Sequence, residues 1–260
     1  MILHQRDERG MEQLQPLDLP ARDELHLWQL DLTGGVARWA VACGWLTPEE
    51  LARGQRYLRV EIREQFIACR SLLRALLSRY IAVPPQAVAL QVSPYGKPQL
   101  APGQGNAATA ELQFNVSHSH GQALIAVARR RQVGVDVEVH RPLTDLPAIV
   151  RRYFSPADQA VFARLPPAEQ EQAFFRGWVC KEAFGKAVGR GLTAGLDQVN
   201  VLADDPGEAA SGWSWCDWSL GVGRFAAVCV EGAGVQFRWP STASTATEWG
   251  DRVTGRRSDG

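Results

Sequence analysis

The stretch from Trp178 to Leu192, WVCKEAFGKAVGRGL, read with the short run GVDVEV from Gly134 to Val139, constrains this chain more than any other feature. On a helix of 3.6 residues per turn, Glu182 and Lys186 lie one turn apart, on the same stripe as Phe175 and Val179. An ordinary amphipathic helix keeps that stripe apolar. In a strand the period is two, so Val135, Val137 and Val139 face one way while Asp136 and Glu138 face the other. If the part of the helix that carries Glu182 packs over the polar strand face, the carboxylates of Asp136, Glu138 and Glu182 converge. Such a set suits a hard cation, Mg²⁺ or Mn²⁺, that keeps waters and substrate phosphate as its other ligands. Lys181 and Lys186 beside them would then hold phosphate oxygens. Taken singly, alternating Val and acid describes any half-solvated strand, and Glu to Lys at i, i+4 is a routine surface pair. Only the conjunction points to chemistry.

A chain of 260 residues can bury a substantial core, as one domain or as two closely packed lobes. Its 28 basic and 28 acidic side chains cancel, so no global field gathers nucleic acid, and clusters such as Arg129, Arg130 and Arg131 are local. The longest apolar runs, such as ALIAVA from Ala123 to Ala128, fall far short of a membrane span, and the N-terminus MILHQRDERG lacks a signal-peptide pattern. A cytoplasmic monomer without membrane or nucleic-acid partners is expected. Cys43, Cys69, Cys180, Cys216 and Cys229 show no disulfide or metal spacing and read as reduced thiols, with Cys180 packed rather than nucleophilic.

Along the chain, residues 1–22 are polar and predict a flexible segment. A strand is expected over Leu25 to Leu32. Thr47-Pro48-Glu49-Glu50 reads as a capping box with Pro at the first helical position, and a longer helix runs through residues 63–83 until Pro84 and Pro85. Short strands follow: VALQV, LQFNV, then ALIAVA and VGVDVEV as a hairpin about the basic turn from Arg129 to Gln132. Ser155-Pro156 opens another helix, and Pro166-Pro167 opens the long one that Gly189 and Gly191 stop. The runs VNVL, WSWCDWSL, RFAAVCV and VQFRW return to strand. A helical block followed by strands thus occurs twice, a faint repeat within a chain that reads as α+β. The tail 241–260 is small, polar and aperiodic, and disorder is expected there.

Two upstream motifs complete an ordered set: YGKPQL from Tyr95 to Leu100 and FNVSHS from Phe114 to Ser119. Ser117 has no G-x-S-x-G elbow around it, and His118 with His120 and Asp136 is too little for a zinc site. With G-x-D-x-E over Gly134 to Glu138 and W-x-x-K-E-A-x-x-K over Trp178 to Lys186, the set resembles the 4'-phosphopantetheinyl transferase superfamily, in its larger two-lobed type. The resemblance runs from about Leu27 to Gly191. It implies two similar α/β sandwich-like lobes in pseudo-twofold relation, 23–140 and 141–240, with the active site in the cleft between them, and transfer of 4'-phosphopantetheine from coenzyme A to a serine of an apo acyl or peptidyl carrier protein, with release of 3',5'-ADP. It further implies Mg²⁺ on Asp136, Glu138 and Glu182, with Glu182 as base, Lys186 as partner of the leaving group, and Asp136 indispensable. Lys97, Ser117, His118 and Lys181 would contact the coenzyme. Similar proteins grip its 3'-phosphate with an arginine where this chain has Gln65; Arg63, Arg70 and Arg74 are the substitutes at hand. The alternative is a coenzyme- or carrier-binding module of the same fold without catalysis.

Overall fold

The computed structural model of the chain describes residues 16–32, 44–205 and 207–240, together with the backbone of two short strands, β1 (His4–Arg6) and β2 (Glu12–Leu14), which pair antiparallel. The helices begin and end at the sequence's own punctuation. In α1 (Pro48–Gln55) the capping box is complete: Thr47 Oγ1 accepts the N–H of Glu50, and the Glu50 carboxylate accepts the N–H of Thr47. The 22-residue α2 (Val60–Ile81) ends on Ala82 in left-handed conformation, ahead of Pro84. Asp145 caps α3 (Leu146–Tyr153), and Ser155 caps α4 (Pro156–Arg164), which starts on proline. The second 22-residue helix, α5 (Pro167–Val188), stops at Gly189, whose φ of 80° only glycine adopts without strain.

After β3 (Glu24–Asp31) the strands are β4 (Leu90–Val92), β5 (Pro98–Leu100), β6 (Leu112–Ser119), β7 (Gln122–Arg129), β8 (Val133–Val139), β9 (Trp213–Ser219), β10 (Arg224–Glu231) and β11 (Gln236–Arg238). They form a hairpin of β4 with β5 and two larger sheets, β11-β3-β7-β6 and β8-β10-β9. The larger sheets face one another, because each strand alternates. Leu25, Leu27, Leu124, Ala126 and Ala128 of the first meet Val133, Val135, Val137, Ala226, Val228 and Val230 of the second. The opposite faces take the long helices. Leu73, Leu77 and Tyr80 of α2 pack on Trp28, Phe114, Ile125 and Val127, while Phe175, Val179, Ala183 and Ala187 of α5 pack on Phe225, Ala227 and Cys229. The order is therefore helix, sheet, sheet, helix, and each layer buries apolar surface on both sides it presents to a neighbour.

The repeat is visible in this order. β3, α2, β6, β7 and then β8, α5, β9, β10 trace the same path, and in each sheet the first strand lies beside the third, with the second at the far edge. The expected hairpin of β7 with β8 is not formed. β7 pairs with β6 and β3, β8 pairs with β10, and the chain changes sheets across Arg130, which takes a left-handed φ of 59°. The change of lobe thus falls between Arg129 and Val133 rather than near His140, and β11 returns to the first sheet, parallel to β3. VNVL (199–202) forms no strand. Residues 16–22, expected to be flexible, lie on the body: the Leu17 N–H donates to Arg79 O, and Leu17 and Leu19 pack against the α2 cluster. The tail 241–260 and Cys43 lie outside the described residues.

Candidate functional site

Gly134 explains how closely α5 lies on β8. A Cβ at this position would overlap the carbonyl of Ala183 and the amide of Ala187, so only glycine lets helix backbone rest on strand backbone. That approach carries Lys186 across β8 to Asp136, the first of its two acids. Its Nζ donates to Asp136 Oδ1 at 2.5 Å and to Ser117 Oγ at 3.0 Å, while the Ser117 hydroxyl donates to the same Oδ1 at 2.8 Å. Ser117 comes from β6, the edge strand of the other sheet. Asn115, two residues earlier, keeps the edges together by accepting the N–H of Val135 on its Oδ1 at 2.9 Å. The site therefore sits where the edges of the two lobes meet.

Asp136 is only 4 % exposed, and its Oδ2 is buried with no hydrogen-bond partner among the described residues. A buried carboxylate oxygen without a donor is costly unless a ligand meets it. Burial raises the carboxyl of Glu182 above its usual value; Lys186 opposes this, and the negative charges of Asp136 and Glu138 add to the rise. Glu182 thus feels both of the other acids. By donor type and by the orphaned Oδ2 they fit a hard divalent cation. Among the described residues, however, no three His, Cys, Asp or Glu side chains stand together closely enough to hold one as placed. Two of the acids are paired with cations of the chain itself: Asp136 with Lys186, and Glu138 Oε2 with Arg141 Nη1 at 2.8 Å.

Lys181 does not join this group. One residue before Glu182 is a turn of ~100° about the helix, which points it into the core, where it is 0 % exposed. Its Nζ donates to Leu196 O at 2.8 Å and Val199 O at 2.5 Å, pairs with Asp158 Oδ2 at 3.0 Å, and lies 4.9 Å from the centre of the Phe154 ring. All three of its donors are used, leaving none for phosphate. Asp158 in turn accepts the N–H groups of Val201, Leu202 and Ala203. The pair is a clamp between α4, α5 and the loop that follows.

Lys97 also turns inward. At 8 % exposure, its Nζ donates to Val133 O at 2.9 Å and Ala187 O at 3.3 Å, tying the β4–β5 turn to both β8 and α5. Burial lowers its ammonium from 10.5 to about 8. Between those values the unfolded chain binds a proton that the folded chain has released, so this group makes stability rise with pH over that window. Denaturant titrations from pH 8 to 10.5 should show a rising contribution in the parent that Lys97→Met lacks. Parallel curves for the two proteins would refute the assignment.

The expected nucleotide-binding side chains separate by environment. Arg74, 2 % exposed, gives Nε to Glu50 Oε2 at 2.7 Å and Nη1 to Pro85 O and Val88 O, so it is spent on the fold. Arg70 approaches Glu50 Oε1 at 3.6 Å and, with Arg53 and Phe66, lines an open cavity of about 500 Å³. Asp136, Glu138 and Glu182 do not line it. His118 is exposed, yet its protein surroundings hold the imidazole below its ordinary value, with the charges of Lys186 and Arg70 adding to the effect. Arg63 is half-buried, with its Nε unpartnered among the described residues, and Gln65 is half-buried as well. Cys180 is buried and its thiol is pushed well above the ordinary range by burial, as a packed cysteine should be. Sequence reading missed Asn115, Asp158 and Arg141. Asn115 stood inside the quoted FNVSHS, and Asp158 three residues after the cap Ser155, so both were in view but without a partner to give them a role.

A family model described as the 4'-phosphopantetheinyl transferase superfamily matches residues 132–229, and one described as 4'-phosphopantetheinyl transferase, N-terminal, matches 34–130. The chain is 36% identical over 218 residues to the 4'-phosphopantetheinyl transferase HetI of Nostoc sp., an alignment covering 82% of this chain and 90% of the relative. It is 25% identical to the 4'-phosphopantetheinyl transferase Sfp of Bacillus subtilis, over 64% of this chain and 70% of the relative. With the human L-aminoadipate-semialdehyde dehydrogenase-phosphopantetheinyl transferase it shares 28%, over 63% of this chain and 54% of the relative. No described helix is long and apolar enough to cross a membrane. The two family matches abut where the chain passes from one sheet to the other, so the halves they describe are the two lobes, and the chain belongs to the 4'-phosphopantetheinyl transferase superfamily in its larger, two-lobed type.

Proposed function

We propose that this transferase, which modifies carrier proteins with the phosphopantetheine of coenzyme A, does so at the meeting of β6, β8 and α5, with Asp136, Glu138 and Glu182 holding a divalent cation, Mg²⁺ or Mn²⁺. The observation that carries the reading is the buried Oδ2 of Asp136, without a partner among the described residues, beside a Lys186 ammonium already held by Oδ1 and Ser117. When bound, the cation would neutralise pyrophosphate charge as the P–O bond breaks. Lys186 holds a proton close to that bond and offsets charge on the departing 3',5'-ADP. Glu182, its carboxyl raised by burial, accepts the proton of the carrier serine. Ser117 and His118 contact the coenzyme phosphates. The same reading has the protein work as a cytoplasmic monomer, where the unpaired Cys69, Cys180, Cys216 and Cys229 are ordinary. Incubation with coenzyme A, Mg²⁺ and a panel of apo carrier domains tests it by intact mass. One phosphopantetheine is expected on one serine, lost in excess chelator and restored by Mg²⁺. Coenzyme binding without mass transfer to any carrier would favour a binding module instead.

For the 3'-phosphate the reading narrows to Arg70: both arginines line the open cavity, but Arg74 is 2 % exposed and spent on Glu50 and two carbonyls. A charge-assisted hydrogen bond contributes roughly 1.5–3 kcal/mol, about 10- to 160-fold. Arg70→Ala should lower the ratio of kcat/KM for coenzyme A over dephospho-coenzyme A by that factor, by weakening coenzyme A alone. An unchanged ratio would move the role to Arg63, whose Nε lacks a partner among the described residues.

A further inference from the structure

We propose that Arg141 is a built-in competitor for the divalent cation: its guanidinium holds Glu138 and must let go when the cation binds, so its charge sets how tightly the site takes metal. The inference rests on the metal reading above. Its geometry is that of an arm on a fixed post. The His140 N–H donates to Gly223 O at 2.7 Å, the His140 ring lies 5.3 Å from that of Phe175, and its Nε2 meets Glu171 Oε2 at 2.7 Å. Pro142 on the other side restricts the backbone of Arg141 to extended conformations. The backbone is pinned, and the half-exposed side chain reaches back to Glu138.

The two ends of the pair differ in exposure. Glu138 is 20% exposed and faces the α5 side of β8 with Asp136, whereas Arg141 is 49% exposed. Leaving Glu138 for water therefore costs the guanidinium little, because an exposed i, i+3 pair is weak. Lys186 on Asp136 is the opposite case, at 27% and 5% exposure, and keeps its place. Two of the three acids thus carry an internal cation, one firmly and one loosely. With Arg141 on Glu138 the like charges around Glu182 are partly balanced; with a divalent cation present, Arg141 is surplus. A merely decorative surface pair would leave metal affinity untouched.

The test is Mn²⁺ binding to the full chain without coenzyme A, at low ionic strength, read from the electron paramagnetic resonance of free Mn²⁺. Arg141→Gln should bind Mn²⁺ about two- to five-fold more tightly than the parent, and Arg141→Lys, which keeps the charge, within about 1.5-fold of it. Removing a positive charge anywhere nearby would also help a cation, so a second background is needed. In Glu138→Gln, which loses the pair together with one of the three ligands and so binds Mn²⁺ more weakly, adding Arg141→Gln should change that weaker constant less than 1.5-fold. Melting temperatures equal to the parent's show that the variants are folded. If the parent binds Mn²⁺ and Arg141→Gln binds it no better, or if the gain persists undiminished with Glu138→Gln, the role of Arg141 is overturned while the metal reading stands. If neither parent nor variants bind Mn²⁺, the metal reading falls and this inference falls with it.

Discussion

Asp136→Asn should leave the chain folded and lower kcat/KM for phosphopantetheine transfer by at least about 10²- to 10³-fold, the range seen when one preorganised electrostatic group is removed from an active site. Asn is nearly isosteric. Its Oδ1 still accepts from Ser117 and from Lys186, which at 27% exposure recovers hydration for its unbalanced charge. What changes is the other position, where an NH₂ replaces the buried Oδ2 that has no partner among the described residues. An unmet donor there costs ~1–3 kcal/mol, enough to lower the melting temperature by several degrees and not enough to unfold a chain of this size. The same NH₂ cannot ligate a cation. Intact-mass assays of transfer beside a thermal melt separate the readings: activity within ten-fold of the parent removes Asp136 from the machinery, and cooperative unfolding at room temperature makes it a structural acid.

Local features were legible because their causes are local. Thr47, Ser155, Pro156, Pro167 and Gly189 act within one turn, and the structure places helix ends within three residues of the positions they mark. The alternation that sent Asp136 and Glu138 to one face of a strand holds for any partner strand, so it survived even though the partner was misjudged. The hairpin failed for the same reason. ALIAVA and VGVDVEV joined by a short basic turn satisfy hairpin patterning, and nothing within them encodes that both faces of β8 are needed elsewhere, one against the first sheet and one under α5. Lys181 shows a different limit. The helical wheel that put Glu182 on the strand side also turns its neighbour inward, but a lysine is consigned to a core only when its counter-ion is known, and Asp158 lies on another helix. Lys97 and Arg74 repeat the lesson: both donate to backbone carbonyls, which no residue pattern announces, and the Glu50 that also holds Arg74 lies on another helix.

The greatest loss of stability is expected from Lys181→Met. Methionine fills a similar volume, so little cavity is created, but it abandons Asp158 at 0 % exposure, takes the ammonium from the Val199 carbonyl, and leaves Leu196 O only the longer bond from the Val199 N–H at 3.4 Å. Removing one member of a buried ion pair typically costs ~3–5 kcal/mol, because the remaining charge is uncompensated. At about 2–4 °C per kcal/mol for a chain of this length, the melting temperature should fall by roughly 6–20 °C. Asp158 is not wholly stranded, since it keeps the N–H groups of Val201, Leu202 and Ala203, and this suggests the partial remedy. Adding Asp158→Asn removes the orphaned charge while its Oδ1 goes on accepting from the loop, so the double variant should melt above Lys181→Met, a coupling of the two sites that independent losses cannot produce. Assayed well below its melting temperature, Lys181→Met should keep its KM for coenzyme A within about three-fold of the parent, because a group with all its donors inside the core adds no binding energy to the substrate. A lysine that gripped phosphate would give the reverse pattern, an unmoved melting temperature with KM raised ten-fold or more, and that outcome would return Lys181 to the coenzyme site.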